Sequence, residues 1–528
     1  MWRRHGQRGL RCRVRRRRRA RYGRRGRPGR RWRRWNGRRW VRRRIRRRGL
    51  SGDGRRGRQH GRRWLRRRVR RRRRSGHRRR GRQLRLPPGP PERSGGTASS
   101  LRYAAAFFFD PFSFVGDRFA RYGDVYYAPA RGVPLYVIKH PDHIREVLIT
   151  QADAFEKTHT ALESLARVLG QGLLTTDGEV WRRHRRLLGP AFTKKAIESC
   201  VGAMADETRV TVSKIKEGRA WDVGHAMTDL TLRIVGRTLL GIDLAKEVEI
   251  VGRSMSRLQL SLAMPRAAPA ALRWPVDRVT ARAAEQLDGV IERVVASRRA
   301  GSTRRSDLLQ MLLDAVDPEE GSVQLSPREI RDELVTFLLA GHETTSNTLT
   351  WALTLLARAP EVERALVREV DEVLGGREVT SADVEHLALT DRVVREAMRL
   401  YPPAFVVARR AAREATIGEF SIPRGSEVVI WIYFTHRDPR FFPDPLAFRP
   451  ERFTPEEEER RPKQAYVPFG AGPRACIGRA FAQVEATVAL ASLYQRFTFR
   501  HDGPPPKVRP RITLSPSRDL RLTPVARR

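Results

Sequence analysis

Ten consecutive residues near the C-terminal end, Phe469-Gly470-Ala471-Gly472-Pro473-Arg474-Ala475-Cys476-Ile477-Gly478, hold the densest chemistry in this 528-residue chain. A cysteine alone is more often a small buried hydrophobe than a ligand. The spacing of Gly470, Gly472 and Ala475 also imitates a dinucleotide-binding fingerprint. That motif needs a strand–helix–strand unit with an acid about 20 residues on, and the helical pattern that follows here has none. Together the residues point to a thiolate held beneath a flat metal cofactor. Gly470 and Gly472 permit a tight bend and close backbone approach. Backbone N–H groups at the start of a helix over 478–495 can donate to the sulfur and lower its pKa. Arg474 offers a clamp for a carboxylate, and Phe469 shields the sulfur from water.

Three further constellations lie upstream. Ala340-Gly341-His342-Glu343-Thr344-Thr345 falls in the middle of a long helical pattern. A mid-helix Thr commonly bonds back to a carbonyl of the preceding turn. His342-Glu343 imitates the start of a zinc-protease motif, but the second His is due at position 346, which is Ser346. In Trp181-Arg182-Arg183-His184-Arg185, the residues Trp181 and Arg185 share a helix face. Arg182, Arg183 and Arg186 read as a solvated basic face. Glu396-Ala397-Met398-Arg399 has a spacing that Glu179/Arg182 and Glu361/Arg364 repeat, so the pair alone says little. What sets Glu396 apart is Pro402-Pro403 just after it and Pro450-Glu451-Arg452-Phe453 downstream.

The stretch 469–478 resembles the haem-binding signature of the cytochrome P450 superfamily, with aromatic, Gly, Arg, Cys and Gly at the expected spacing. The resemblance makes Cys476 the axial ligand of haem b; a thiolate pushes electron density to the metal and favours O–O cleavage. It sets Glu396, Arg399 and Arg452 in a buried network that fixes the haem-binding core, a structural role. It gives Trp181, Arg185 and, sixteen residues before Gly425, Arg409 to the haem propionates. Ala340 and Gly341 then let their helix pass close over the ring, and strain there opens room for water and dioxygen. Thr344 hydrogen-bonds dioxygen in that pocket and Glu343 relays protons to it. The implied activity is that of a monooxygenase: one atom of O2 enters a small apolar substrate and the other leaves as water. No flavin or nicotinamide domain is legible, so a separate ferredoxin or flavodoxin with an NAD(P)H-dependent reductase is implied, docking on the basic residues around 182–186. A peroxide-driven variant is the nearest alternative, and the Glu343-Thr344 pair speaks against it.

The helices and strands that carry these residues are legible too. Ser326-Pro327-Arg328-Glu329 is a capping box with Pro at the first helical position. The apolar residues Ile330, Leu334, Phe337, Leu338, Gly341, Thr345, Leu349 and Ala352 follow at helical period, and Pro360 ends the run. Helices are expected at 361–374, 388–400 and 478–495, and strands at Asp124–Tyr127 and Pro134–Ile138. The expected fold is mainly α, a large helical domain with a small β-rich side, the haem lying between the 327–358 and 478–495 helices. Selectivity falls to 158–175, 250–275 and Ala404–Ala408, whose Leu, Val, Ala and Phe indicate only an apolar, moderately large substrate.

Charge divides the chain. Its formal net charge is +51, and residues 1–90 alone hold 44 Arg, no Lys and one acid, Asp53. The other 438 residues carry 64 basic and 56 acidic side chains, an ordinary globular balance. Residues 1–85 are Arg/Gly-rich with scattered Trp2, Trp32, Trp35, Trp40 and Trp64, a composition that cannot bury a core. Two readings stand: a nonspecific nucleic-acid-binding arm, or a tail without function from a mis-assigned start. After a Pro-rich hinge at Leu86–Pro91, residues 86–528 form the monooxygenase domain. Three cysteines make no disulfide framework, and no run approaches the ~18–20 apolar residues of a transmembrane helix. A cytoplasmic protein without a transmembrane anchor is expected.

Overall fold

The expected capping box forms. The Ser326 hydroxyl accepts the Glu329 N–H at 3.2 Å, and the Glu329 carboxylate accepts the Ser326 N–H at 2.8 Å. With Pro327 in its first turn, this cap opens a helix that runs Pro327–Leu356. Ile330, Leu334, Phe337, Leu338, Thr345, Leu349 and Ala352 are buried, so the 3.6-residue period faces the core. Pro360, instead of merely ending that helix, opens the next one at Pro360–Leu374.

The structure is a computed structural model that describes residues 86–90, 106–107, 109–128, 133–157, 165–166, 169–241, 250–254, 257–258, 270–301, 307–315, 324–517 and 520–528. The Arg-rich segment 1–85 lies outside the described residues, as do 158–164 and 259–269 of the segments expected to set selectivity.

The helices that build the site are α1 (Gly178–Leu188), α2 (Val201–Val212), α3 (Val223–Leu239), α4 (Pro327–Leu356), α5 (Ala388–Leu400) and α6 (Arg479–Tyr494). α4 lies along α3 and packs on α5 and α6, while α2 bridges α3 and α6. One core joins Val235 of α3, Leu338 of α4, Ala397 of α5 and Leu490 of α6, all fully buried.

The β-rich side is a five-stranded sheet of β1 (Val125–Tyr127), β2 (Leu135–Ile138), β3 (Phe155–Lys157), β4 (Val407–Ala411) and β5 (Glu427–Ile430), in the order β1-β2-β5-β4-β3. β2 and β5 are parallel and the other pairs antiparallel. Its register sets Lys157 opposite Arg409. The Pro-rich hinge is pinned to this sheet: Tyr127 N–H donates to the Pro88 carbonyl at 2.8 Å. A separate hairpin, β6 (Val508–Pro510) with β7 (Leu514–Pro516), returns to α4. No helix among the described residues is long and apolar enough to cross a membrane.

Glu396 and Arg399 are fully buried, whereas Glu179/Arg182 and Glu361/Arg364, which share their spacing, are exposed ion pairs. Arg399 grips Glu396 through two nitrogens at 2.6 and 2.8 Å and donates to the carbonyls of His436, Pro445 and Ala447. Arg452 Nε lies 3.4 Å from Glu396 Oε1, and the Arg449 N–H donates to the same oxygen at 2.9 Å. The network therefore staples α5 to the 436–452 segment that leads into the cysteine loop.

Candidate active site

Residues 469–478 fold as a tight loop before α6. Cys476 N–H donates to the Phe469 carbonyl at 2.9 Å, and Ala475 N–H to that of Gly472 at 3.0 Å. Gly472 has φ +69, and a Cβ there would lie 1.8 Å from the Leu148 carbonyl oxygen, so conformation and space both demand glycine. Phe469 packs on the main core, its ring 6.0 Å from the Arg479 guanidinium.

The sulfur receives a hydrogen bond from the Gly478 N–H, as the helix start requires, and feels the charge of Arg185. Both favour the thiolate. Burial outweighs them and pushes the free thiol above its ordinary value, so the expected net lowering is not found in the protein alone. Cys476 is nevertheless solvent-accessible. A group ringed by protein yet accessible faces a hollow.

Cations gather around the loop. Arg185 donates to the Ala475 carbonyl at 3.1 Å, and burial lowers its pKa. The Arg474 guanidinium stacks 3.5 Å over the Trp181 ring and pairs with Asp177. Burial still holds Arg474 down to about 10, and Arg409 likewise to about 10. Arg409 donates to its neighbour's carbonyl and meets no carboxylate among the described residues. Lys157 donates to the carbonyls of Leu173 and Leu174 at 3.0 and 2.7 Å. Burial first, then the charges of Arg474 and Arg409, bring its pKa down to about 7. Like charges facing across a sheet repel, and Lys157 faces Arg409 directly. This arrangement asks for an anion, and haem brings two carboxylates; the residues present fit it.

Arg182 and Arg186 are exposed, as expected. Arg183 is a correction: it turns inward, 2.9 Å from Glu329 at the start of α4, because the adjacent His184 is drawn into the core. His184 Nδ1 lies 2.6 Å from the buried Glu333 carboxylate.

On α4, Ala340 is exposed although Leu339 and His342 beside it are buried, so this point of a core helix also opens on a hollow. A Cβ on Gly341 would come 2.9 Å from Val235 Cγ2, so its missing side chain lets α3 approach closely. The helix runs through 340–345 without interruption, in place of the strained opening expected there, and the Thr344 hydroxyl donates to the Ala340 carbonyl at 2.8 Å. Glu343 Oε1 accepts a hydrogen bond from Thr513 at 2.6 Å.

A helical domain with an accessible cysteine on a loop before a core helix, and with half-buried and buried cations gathered around that loop, fits a haem-thiolate protein. The family model for cytochrome P450 matches residues 104–522. The chain is 38% identical over 391 residues to cyclooctatin synthase of Streptomyces melanosporofaciens, covering 72% of this chain and 84% of the relative. It is 33% identical over 433 residues to cyclooctat-9-en-7-ol 5-monooxygenase of the same organism, covering 78% and 91%. The crystal structure of the cytochrome P450DA haem domain superimposes with a TM-score of 0.75 at 30% identity, over 84% of this chain and 98% of that one. The chain belongs to the cytochrome P450 family, and with it come haem and monooxygenase chemistry.

Two residues at the site were not legible in the sequence. Lys157 reaches it by strand pairing with a segment some 250 positions away, and Thr513 by the return of the C-terminal hairpin. Neither carries a local spacing signal.

Proposed function

We propose that Cys476 supplies the thiolate ligand of the haem and that Trp181, Arg185, Arg409 and Arg474, joined by Lys157, hold its propionates. The bound haem supplies the redox-active iron that activates O2. Phe469 would shield the sulfur from water, and the small residues Ala340 and Gly341 would leave room for the ring. Thr344 and Glu343 manage protons there: Thr344 turns its hydroxyl from the Ala340 carbonyl into the pocket, and Glu343 holds the proton to be passed on. The observation that carries this reading is the dehydrated set Lys157, Arg409 and Arg474 beside the accessible Cys476.

Electrons come from a separate ferredoxin or flavodoxin with its reductase, steered by exposed Arg182 and Arg186 on α1. The substrate is apolar; the relative named for cyclooctat-9-en-7-ol supports an unsaturated carbon skeleton with few hydroxyl groups. Residues 86–528 are the working domain, in a reducing cytoplasm that suits the free thiols Cys200 and Cys476. Nucleic-acid binding, if present, belongs to residues 1–85 and falls steeply with salt. The test is reconstitution with ferredoxin, reductase, NADPH and 18O2, using cyclooctat-9-en-7-ol as substrate. One labelled oxygen per product molecule supports the proposal; product formed with peroxide but never with NADPH refutes it.

A further inference from the structure

α4 presents Glu343, Asn347 and Trp351 at intervals of four, which places them along one side of the helix. All three bond to Thr513, the last residue of the β6–β7 turn, or to Leu514, the first of β7. Trp351 Nε1 donates to the Leu514 carbonyl at 3.3 Å, and Asn347 Nδ2 donates to Thr513 Oγ1 at 3.0 Å. Thr513 Oγ1 in turn donates to Glu343 Oε1 at 2.6 Å.

The donor directions are mutually consistent. A threonine hydroxyl has one proton. With Asn347 donating to its oxygen, that proton is committed to Glu343. A 2.6 Å O–H···O contact is in the range of hydrogen bonds to an ionised acceptor. Thr513 itself cannot wander. It is 7% exposed, the Leu514 N–H donates to the Pro403 carbonyl at 3.0 Å, and Leu514 is buried against Phe405 and Trp431. Arg511 N–H closes the turn on the Thr513 carbonyl at 3.1 Å. The hydroxyl is thus anchored from outside α4 and aimed at one carboxylate oxygen.

We infer that Thr513 is a positioning residue for Glu343: it fixes Oε1 and leaves Oε2 as the oxygen that carries a proton toward Thr344. This inference rests on the reading of Glu343 as the proton-handling acid. It assigns the hairpin of residues 508–516 a part in proton delivery through a hydrogen bond, beyond any role as pocket wall. Asn347 serves by orienting the Thr513 proton.

The experiment compares Thr513→Val, Thr513→Ser and Glu343→Gln in the haem-loaded full chain. One readout is product formed per NADPH consumed. The other is the carboxylate stretch of Glu343 in the resting protein, assigned by infrared difference against Glu343→Gln. Thr513→Val is expected to shift that band and to lower product per NADPH about tenfold, the weight of one hydrogen bond to a charged group. Thr513→Ser is expected to restore both. Equal losses in the Val and Ser variants make Thr513 a packing residue and overturn the inference. A shifted band with unchanged yield in Thr513→Val, alongside a yield lost in Glu343→Gln, also overturns it while leaving the proposed function standing. Full yield in Glu343→Gln instead overturns the reading of Glu343 itself.

Discussion

Arg409 and Lys157 show how a site can be read from discomfort. Each is a cation largely stripped of water, and they sit opposite each other across β3 and β4. The pair is relieved either by loss of the Lys157 proton or by a negative group, and an anion lets both stay charged. Replacing Arg409 or Lys157 with Met is therefore expected to leave the fold intact and speed haem loss by about 10- to 100-fold per lost charge-assisted bond. Haem transfer to an apoglobin acceptor measures it, and transfer at the rate of the unchanged chain would remove these residues from the site. The residues with local signatures were the legible ones: Cys476, Arg474 and Phe469 stand within one loop, and Trp181 and Arg185 on one helix turn. Lys157 and Thr513 were hidden because only tertiary pairing gives them a role.

At the scale of elements, α4 has two working faces. Ala340 is exposed and its carbonyl accepts the Thr344 hydroxyl on one side, while Gly341 admits Val235 of α3 on another. The small-residue pair was visible in the sequence, but not which neighbour each residue makes room for, since that depends on where α3 docks. Gly341→Ala is expected to cost about 1–3 kcal/mol through overpacking, with Val235→Ala in the same chain recovering part of it. Chemical unfolding reads both.

The tie between α1 and α4 is pH-dependent. Burial disfavours the charged His184, but Glu333 and Glu329 more than offset this and raise its pKa above the unfolded value of 6.5. The folded state then binds the proton more tightly. Its contribution is complete below about pH 6.5 and is lost as pH rises through the folded value. The part of the unfolding free energy that His184→Asn removes should decline over that window. A rise in stability with pH that depends on His184 would contradict the assignment.

At the largest scale, a buried charged network ties a core helix to the run that precedes the cysteine loop. Glu396, Arg399 and Arg452 link α5 to the run that becomes the cysteine loop. Glu396→Ala strands the buried Arg399 charge and is expected to cost about 3–5 kcal/mol. Arg364→Ala, which removes an exposed pair of the same spacing, should leave the unfolding midpoint unchanged. The contrast explains what was legible at this scale. The Pro pair and the 450–453 tract distinguished Glu396 from its look-alikes, and the helical periods and capping box gave the main architecture. The order of the five strands was not legible, because β2 meets β5 across nearly 300 residues of chain.

One measurement bears on the central assignment, an ionised Cys476 sulfur on haem iron. The purified protein is reduced, exposed to carbon monoxide and its absorption recorded beside that of Cys476→Ala. The expected result is a strongly red-shifted Soret band in the unchanged chain that is absent from the variant. A band at the ordinary position in the unchanged chain, or a red-shifted band that survives in Cys476→Ala, would contradict it.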